Sequence, residues 1–236
     1  MLTRRILVTT ATTLPALVLA AQPGASQAAA SVDVVRDWGF IPTLPLEPGR
    51  TSGETGDSPP RLGEISKGFG LLYNAPRGQP PLDVARYFQA LPDKNQDGSA
   101  YNAEWPVKAN PVIVGFFSMT NTTPSGGDQT SWCAAFVNFC LAASGREMTF
   151  SALSGSFRRY RTATETPREG DIVVFANTGP TGAQGFGHVA FFLSKDASGI
   201  TVLGGNQGPT GKGAVTIAKF PYEGASLKWH SYRSVG

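Results

Sequence analysis

Five short apolar runs, separated by turn residues, constrain the fold of this chain most strongly. They are DIVVFA, HVAFFL, ITVL, AVTIAKF and LKWHSY, at residues 171–176, 188–193, 200–203, 214–220 and 227–232. Runs of this length that are rich in Val, Ile and Phe are typical of β-strands. The spacers between them are short and contain Gly, Asn or Asp, which favours antiparallel neighbours. The sequence therefore predicts an antiparallel sheet of about five strands.

One helix is predicted ahead of this sheet, over SWCAAFVNFCLAASG at residues 131–145. Apolar or small residues recur at the i, i+3, i+4, i+7 spacing of a helix with one buried face, and Ser144-Gly145 supplies a stop. Cys133 lies in the first turn, where unpaired N–H groups and the helix dipole favour a thiolate. Cys133 is therefore a candidate nucleophile, and a small buried structural cysteine is the alternative.

The second cysteine, Cys140, is expected to be structural because it lies on the buried face in mid-helix. Seven helical residues separate Cys133 from Cys140, which places their Cα atoms about 10 Å apart, beyond the limit of roughly 7 Å for a disulfide. The two thiols cannot pair with each other. An unpaired cysteine in an exported protein suggests that its thiol is used.

A cysteine nucleophile needs a base, and the base needs a polar partner that fixes its orientation. His188 opens the second predicted strand and is the candidate base. Asn206, in the turn GGNQG, would reach His188 if the two neighbouring strands pair. The other histidine, His230, lies within the last predicted strand and is expected to be structural.

A polar segment upstream matches the calcium-loop pattern D-x-[DN]-x-[DN]-G-x5-E at every specified position. The segment is DKNQDGSAYNAE, residues 93–104, and the candidate ligands are Asp93, Asn95, Asp97, Ser99 and Glu104. Ala100 stands where such loops usually carry a larger aliphatic residue, and Trp105-Pro106 follows where an exit helix is expected. A polar turn without a metal is therefore the alternative.

The first thirty residues have the pattern of an export signal. Arg4-Arg5 gives a basic start, an apolar stretch runs from Ile6 to Ala21, and small residues follow at 25–30. The arginine pair resembles a twin-arginine signal, with the general secretory route as the alternative. We expect a periplasmic or extracellular protein with no transmembrane anchor once the signal is removed.

Residues 31–81 are rich in Pro and Gly and are predicted to be flexible, with 41–63 as a tether. Residues 82–236 are predicted to form one domain, of which 82–109 is an N-terminal extension. This extension contains a predicted helix at 82–91. The apolar segment 110–117 is expected to pack in the core ahead of the nucleophile helix.

The charge balance excludes nucleic acid as an expected partner. Arg4 and Arg5 belong to the predicted signal, so the 20 basic residues fall to 18 against 17 acidic ones. No basic run interleaved with aromatic residues is present. We expect a monomer.

Four segments in this order and at these spacings resemble a known family. The segments are WCAAFVNFCLAASG, PREGDIVVF, GHVAFFLS and VLGGNQ. They resemble a CHAP domain, the cysteine- and histidine-dependent amidohydrolase/peptidase group related to NlpC/P60, over roughly residues 110–220. The resemblance implies an α+β, papain-like fold, with Cys133 as nucleophile, His188 as base and Asn206 as the orienting residue.

The sequence departs from the CHAP pattern at Gly204, where many CHAP domains carry an additional acidic residue. Both Asn206 and Gln207 therefore remain candidates for orienting the histidine. Gln129, four residues before the cysteine, is a candidate oxyanion donor. Trp132 is a candidate cleft residue, with ordinary core packing as the alternative.

The resemblance also implies a function. It predicts a secreted hydrolase that cleaves an amide bond of peptidoglycan, in the stem peptide or at the N-acetylmuramoyl-L-alanine link, through a thioester. The chemistry requires no cofactor, and a calcium ion at 93–104 would be structural. A non-catalytic wall-binding protein, and an acyltransferase or toxin on the same fold, are the alternatives.

Overall fold

The computed structural model describes residues 58–209 and 211–236, and within them four of the five α-helices precede the sheet along the chain. The predicted export signal and residues 31–57 of the predicted flexible segment lie outside the described residues. The α-helices are α1 (Leu62–Tyr73), α2 (Pro81–Gln89), α3 (Pro111–Phe116), α4 (Cys133–Ala143) and α5 (Pro180–Ala183). Short 3-10 helices cover Phe117–Met119, Gly127–Gln129 and Ser154–Arg159. No helix in the described ranges is long and apolar enough to span a membrane.

The strands form one antiparallel sheet in the order β1-β6-β2-β3-β4-β5. They are β1 (Ala163–Thr164), β2 (Ile172–Asn177), β3 (Gly187–Asp196), β4 (Gly199–Gln207), β5 (Ala214–Phe220) and β6 (Leu227–Arg233). Strands β2 to β6 correspond to the five predicted runs, and β1 is a two-residue addition. The α+β architecture expected of a papain-like fold is confirmed.

Helix α4 is the central element of the core rather than a helix with a single buried face. Ten of its eleven residues are buried, and a helix that is apolar all round must be covered on every side. Phe136 and Phe139 of α4 lie edge to face with Phe88 of α2 and Phe116 of α3. The ring centroids in this group are 5.0–6.2 Å apart. Helices α2 and α3 therefore hold α4 against the sheet.

The two faces of the sheet carry different clusters. On β3, Val189 and Phe191 belong to the core that contains α4. Ala190 and Phe192 point to the opposite face and pack in a second cluster with Phe175 of β2. This alternation follows from the two-residue period of a strand. It also assigns His188, two residues before Ala190, to the second face.

Residues 62–81 belong to the folded domain, which corrects the prediction that flexibility extends to residue 81. Helix α1 packs closely on α3. A Cβ added at Gly68 would lie 2.6 Å from Pro111, and one added at Gly115 would lie 2.4 Å from Leu72. The contact at Gly68 requires glycine, because the atoms that a Cβ would meet belong to the rigid ring of Pro111. Small residues at the contact hide the apolar periodicity from which a helix is predicted.

The predictions for the segments between α1 and α4 agree better with the structure. The helix predicted at 82–91 is α2, and segment 110–117 is buried as expected. This segment forms helix α3 because Asn110 caps it, accepting a 2.9 Å hydrogen bond from the N–H of Val112, while Pro111 occupies the first helical position.

Candidate active site

Cys133 begins α4 and lies in the core with only 5% of its surface exposed. Burial raises the pKa of its thiol to about 11, although backbone N–H groups of Val189, Ala134 and Cys133 itself favour the thiolate. Desolvation therefore outweighs the position at a helix N-terminus. The thiol is protonated at neutral pH, contrary to the expectation from the helix dipole alone.

The second cysteine, Cys140, is also buried in α4, and neither thiol forms a disulfide. Burial raises the pKa of the Cys140 thiol well above its ordinary value. The prediction of two unpaired cysteines on one helix is confirmed.

His188 opens β3, and its ring packs against Phe175 and Phe220 at centroid distances of 6.3 and 5.2 Å. Its Nε2 lies 3.1 Å from Oε1 of Gln207. Burial lowers the pKa of His188 to about 4, and the contact with Gln207 opposes this shift. The imidazole is therefore neutral at pH 7.

The side-chain amide of Gln207 is fixed at both ends. Its nitrogen donates to the backbone oxygen of Thr216, so its oxygen faces the histidine ring. Because a neutral imidazole carries one N–H, this contact places the proton on Nε2. Nδ1 is then the nitrogen of His188 that can accept a proton.

Asn206 does not make this contact. It has a left-handed backbone with φ of 58°, at an irregularity of pairing between Gly204 and Gln207 that resembles a bulge. A Cβ at Gly204 would lie 3.0 Å from Oε1 of Gln207. The glycine that replaces the usual acidic residue thus leaves room for the Gln207 amide, and the structure gives the orienting contact to Gln207.

The side chains of Cys133 and His188 lie on opposite faces of the sheet and are not hydrogen-bonded to each other. Within the described part of the chain, the partners of the sulfur are backbone N–H groups, and the partner of the ring is Gln207. One of those N–H groups belongs to Val189, so the sulfur lies beside the peptide that follows His188. A proton transfer between the two side chains therefore requires the ring to leave its contacts with Phe175, Phe220 and Gln207 and to turn toward the face that carries the thiol.

Trp132 is fully buried, which contradicts its prediction as a cleft residue. Its ring stacks on Phe116 with centroids 6.0 Å apart, and a Cβ at Gly205 would lie 2.4 Å from it. The side-chain nitrogen of Gln129, the predicted oxyanion donor, points to Asp128 at 3.4 Å. Neither side chain is arranged as an oxyanion donor in this conformation.

The predicted calcium ligands are each held by other groups of the protein. Asp93 pairs with Lys67 at 2.7 Å, and Asp97 contacts both Arg61 and Lys108. The Asn95 side-chain oxygen accepts from the N–H groups of Asp97 and Ser99 at 3.0 and 2.8 Å, and Glu104 binds Trp132. No group of three or more His, Cys, Asp or Glu in the described ranges could hold a metal ion. In this structure the segment is arranged as a polar turn whose carboxylates pair with groups of the protein.

We expect calcium to leave the melting temperature unchanged to within about 1 °C, because Arg61, Lys67 and Lys108 already neutralise the carboxylates of the turn. Thermal unfolding with millimolar calcium and with a chelator measures this. A rise of more than about 3 °C with calcium, absent from Asp97→Asn, would contradict it.

The sequence does not predict Asp128 as a site residue, and it predicts Glu104 only as a calcium ligand. Asp128 is fully buried and accepts hydrogen bonds from the N–H groups of Trp105 and Asn110 at 2.8 and 2.9 Å. Burial raises its pKa to about 7. Glu104 accepts from Trp132, directly before the nucleophile, at 3.0 Å. Asp128 lies in a glycine-rich segment and reads as a turn residue, so the sequence carries no signal for either role.

A cavity of about 620 Å³ lies at the other end of α4, bordered by Arg86, Arg146 and Arg168. Arg146 follows the C-terminus of the helix that Cys133 begins. The cavity is lined by none of the candidate catalytic residues.

Comparison with known protein families gives a match to the model described as CHAP domain, over residues 125–206. The matched segment contains Cys133, His188 and Asn206, and it ends one residue before Gln207. No curated protein and no solved structure is significantly similar to the chain.

Proposed function

We propose that this chain, which carries a CHAP domain at residues 125–206, is an exported cysteine amidohydrolase or peptidase that cleaves an amide bond of peptidoglycan. CHAP domains are generally hydrolases, and the family suggests peptidoglycan as the substrate. The proposal is supported by the family match, which spans both Cys133 and His188, and by the placement of the Cys133 sulfur at the N–H of Val189, the residue that follows His188.

The resting pair in this proposal is neutral. The thiol has a pKa of about 11 and the imidazole one of about 4, so neither is charged at neutral pH. In this proposal the His188 ring turns from the second face of the sheet toward the thiol and acts as a general base, taking the thiol proton on Nδ1 as the sulfur attacks the carbonyl carbon. Gln207 keeps the other ring nitrogen protonated and so makes Nδ1 available.

The remaining steps follow from acyl transfer to sulfur. The backbone N–H of Cys133, at the start of α4, stabilises the negative oxygen of the tetrahedral intermediate. The protonated histidine then gives its proton to the leaving amine, and the acyl group stays on the cysteine as a thioester. Water, deprotonated by His188, attacks the thioester and releases the carboxylate and the free thiol.

Gln207→Ala should lower kcat by about 10-fold to 100-fold with little change in KM, because the orientation and tautomer of His188 would no longer be fixed. Asn206→Ala should have a smaller effect, since its side chain does not contact the ring. Initial rates of release from peptidoglycan at several substrate concentrations measure both. A larger loss in Asn206→Ala than in Gln207→Ala would assign the orienting role to Asn206 instead.

The function itself is tested by incubating the exported form with isolated peptidoglycan and identifying the soluble products by mass spectrometry. New peptide termini indicate an endopeptidase, and free L-alanine amines beside intact glycan indicate an amidase. Products joined to an added amine indicate acyl transfer. Binding to peptidoglycan without any release, across pH 5 to 9, would contradict a hydrolase and favour a wall-binding protein.

A further inference from the structure

Glu104 joins two parts of the molecule that are far apart in sequence. Its Oε1 accepts a hydrogen bond from Nε1 of Trp132 at 3.0 Å, and its Oε2 accepts one from the N–H of Gly213 at 2.8 Å. Its own N–H donates to the oxygen of Gly213 at 2.8 Å. The side chain therefore links the residue before the nucleophile to the residue before β5.

The Gly213 end of this link lies beside the end of β4. A Cβ at Gly213 would lie 2.5 Å from Oε1 of Glu104 and 2.6 Å from Oδ1 of Asn206. Asn206 directly precedes Gln207, which holds the histidine. The carboxylate thus binds the backbone at Gly213, where the chain that follows Gln207 returns to the sheet as β5.

The Trp132 end of the link sets the distance between α4 and β4. The indole is fully buried and packs on the backbone of Gly205, where a Cβ would lie 2.4 Å from the ring. Gly205 is two residues before Gln207 in the same strand. A shift of the indole would therefore move either the start of α4 or the end of β4.

We propose that Glu104 is a positioning residue. It holds Trp132-Cys133 and the end of β4 at a fixed distance, so that the thiol keeps its position relative to the strand segment that carries Gln207. The inference rests on the proposed function only in taking Cys133 as the nucleophile. In this proposal the partners of Glu104, the last residue of the calcium-like pattern, are N–H donors of the protein and not a metal ion.

A carboxylate suits this role because both of its oxygens accept. A glutamine at this position can accept with one atom only, and its NH₂ would face one of the two N–H donors. Glu104→Gln preserves volume but loses one of the two bonds, whereas Trp132→Phe removes the indole donor and retains most of the ring.

The experiment measures alkylation of Cys133 by iodoacetamide at pH 8, together with kcat on peptidoglycan and the melting temperature. We expect Glu104→Gln to lower kcat about tenfold and to change the alkylation rate at least threefold, as the loss of about one buried hydrogen bond predicts. Asp97→Asn is the matched control. It removes another carboxylate of the same turn and should alter only the melting temperature.

Trp132→Phe and the double variant complete the test. If the indole and the carboxylate act through one bond, the double variant should be no slower than the worse single variant. Additive losses, or a Glu104→Gln protein as reactive as Asp97→Asn, would overturn the proposal. Alkylation needs no substrate, so this result stands even if the protein releases nothing from peptidoglycan.

Discussion

Cys133→Ala should reduce the release of fragments from peptidoglycan by at least about 10³-fold, because the change removes the atom that forms the thioester. The fold should survive the change. The thiol is 5% exposed, and removing one buried sulfur costs about 1 kcal/mol. The loss is measured by following soluble products over time, with the melting temperature as the check on folding.

Cys140→Ala is the matched control, since it removes the same atom from the same buried helix. Its activity should stay within about twofold of the wild type, because Cys140 lies two turns along α4 from the reacting thiol. Equal losses of activity in both variants would show that the loss reflects disturbed packing of α4 and not removal of the nucleophile. Retention of a tenth of the activity by Cys133→Ala would exclude it as the nucleophile.

The elements that the sequence predicts well are those whose signals are local. The run 214–220 is predicted as a strand and forms β5 (Ala214–Phe220), and the helix predicted at 131–145 forms α4 (Cys133–Ala143). In both cases the predictive signal consists of apolar spacing and flanking turn residues, and it lies within a few positions of the element. The CHAP-like order of the nucleophile and base segments is equally local, and the family match at 125–206 agrees with it.

The partner of His188 could not be chosen from the sequence, because successive side chains of a strand point to opposite faces of the sheet. The irregular pairing between Gly204 and Gln207 shifts the register of β4, which turns Gln207 toward the histidine and Asn206 away from it. A shift of a single position exchanges the two faces of a strand. The sequence shows the two neighbouring amides but not the irregularity that selects between them.

The sequence could not choose between a calcium site and a polar turn for a different reason, since the ligand types of the pattern are all present. Two of the cations that neutralise it, Arg61 and Lys67, lie in the segment that the sequence indicates as a flexible linker. Lys67 belongs to α1, whose close packing on α3 cannot be read from an interrupted apolar pattern. The missed helix thus hides two of the cations that pair with the carboxylates of the pattern.

Asp128 gives the second large expected effect, on stability. Both backbone donors, Trp105 and Asn110, bind the same oxygen, Oδ2, while Oδ1 faces the side-chain amide of Gln129. Burial raises the pKa of this carboxyl from 3.8 to about 7. The folded protein therefore binds a proton that the unfolded chain releases near pH 4, so the contribution of Asp128 to stability falls as pH rises from about 4 to 7.

His188 acts in the opposite direction, because its pKa is lowered to about 4 in the folded protein and stability rises between that value and 6.5. The two contributions partly cancel in the wild type, so the pH dependence of the wild type alone does not reveal either group. The difference between the wild type and a variant without the carboxyl isolates Asp128.

Asp128→Asn should have the stability of the wild type near pH 4 and exceed it by about 2 to 4 kcal/mol at pH 8, since a shift of about three pKa units corresponds to about 4 kcal/mol. The asparagine oxygen can still accept from both backbone donors, and Gln129 can turn its oxygen toward the new NH₂. Asp128→Ala should instead lose about 2 to 4 kcal/mol at pH 4, because the N–H groups of Trp105 and Asn110 would have no acceptor, and this loss should shrink toward pH 8 as the wild type itself loses the contribution of the carboxyl. Urea unfolding at pH 4, 6 and 8 measures the three proteins. A difference between Asp128→Asn and wild type that does not grow with pH would mean that the carboxyl is already ionised in the folded protein at pH 4.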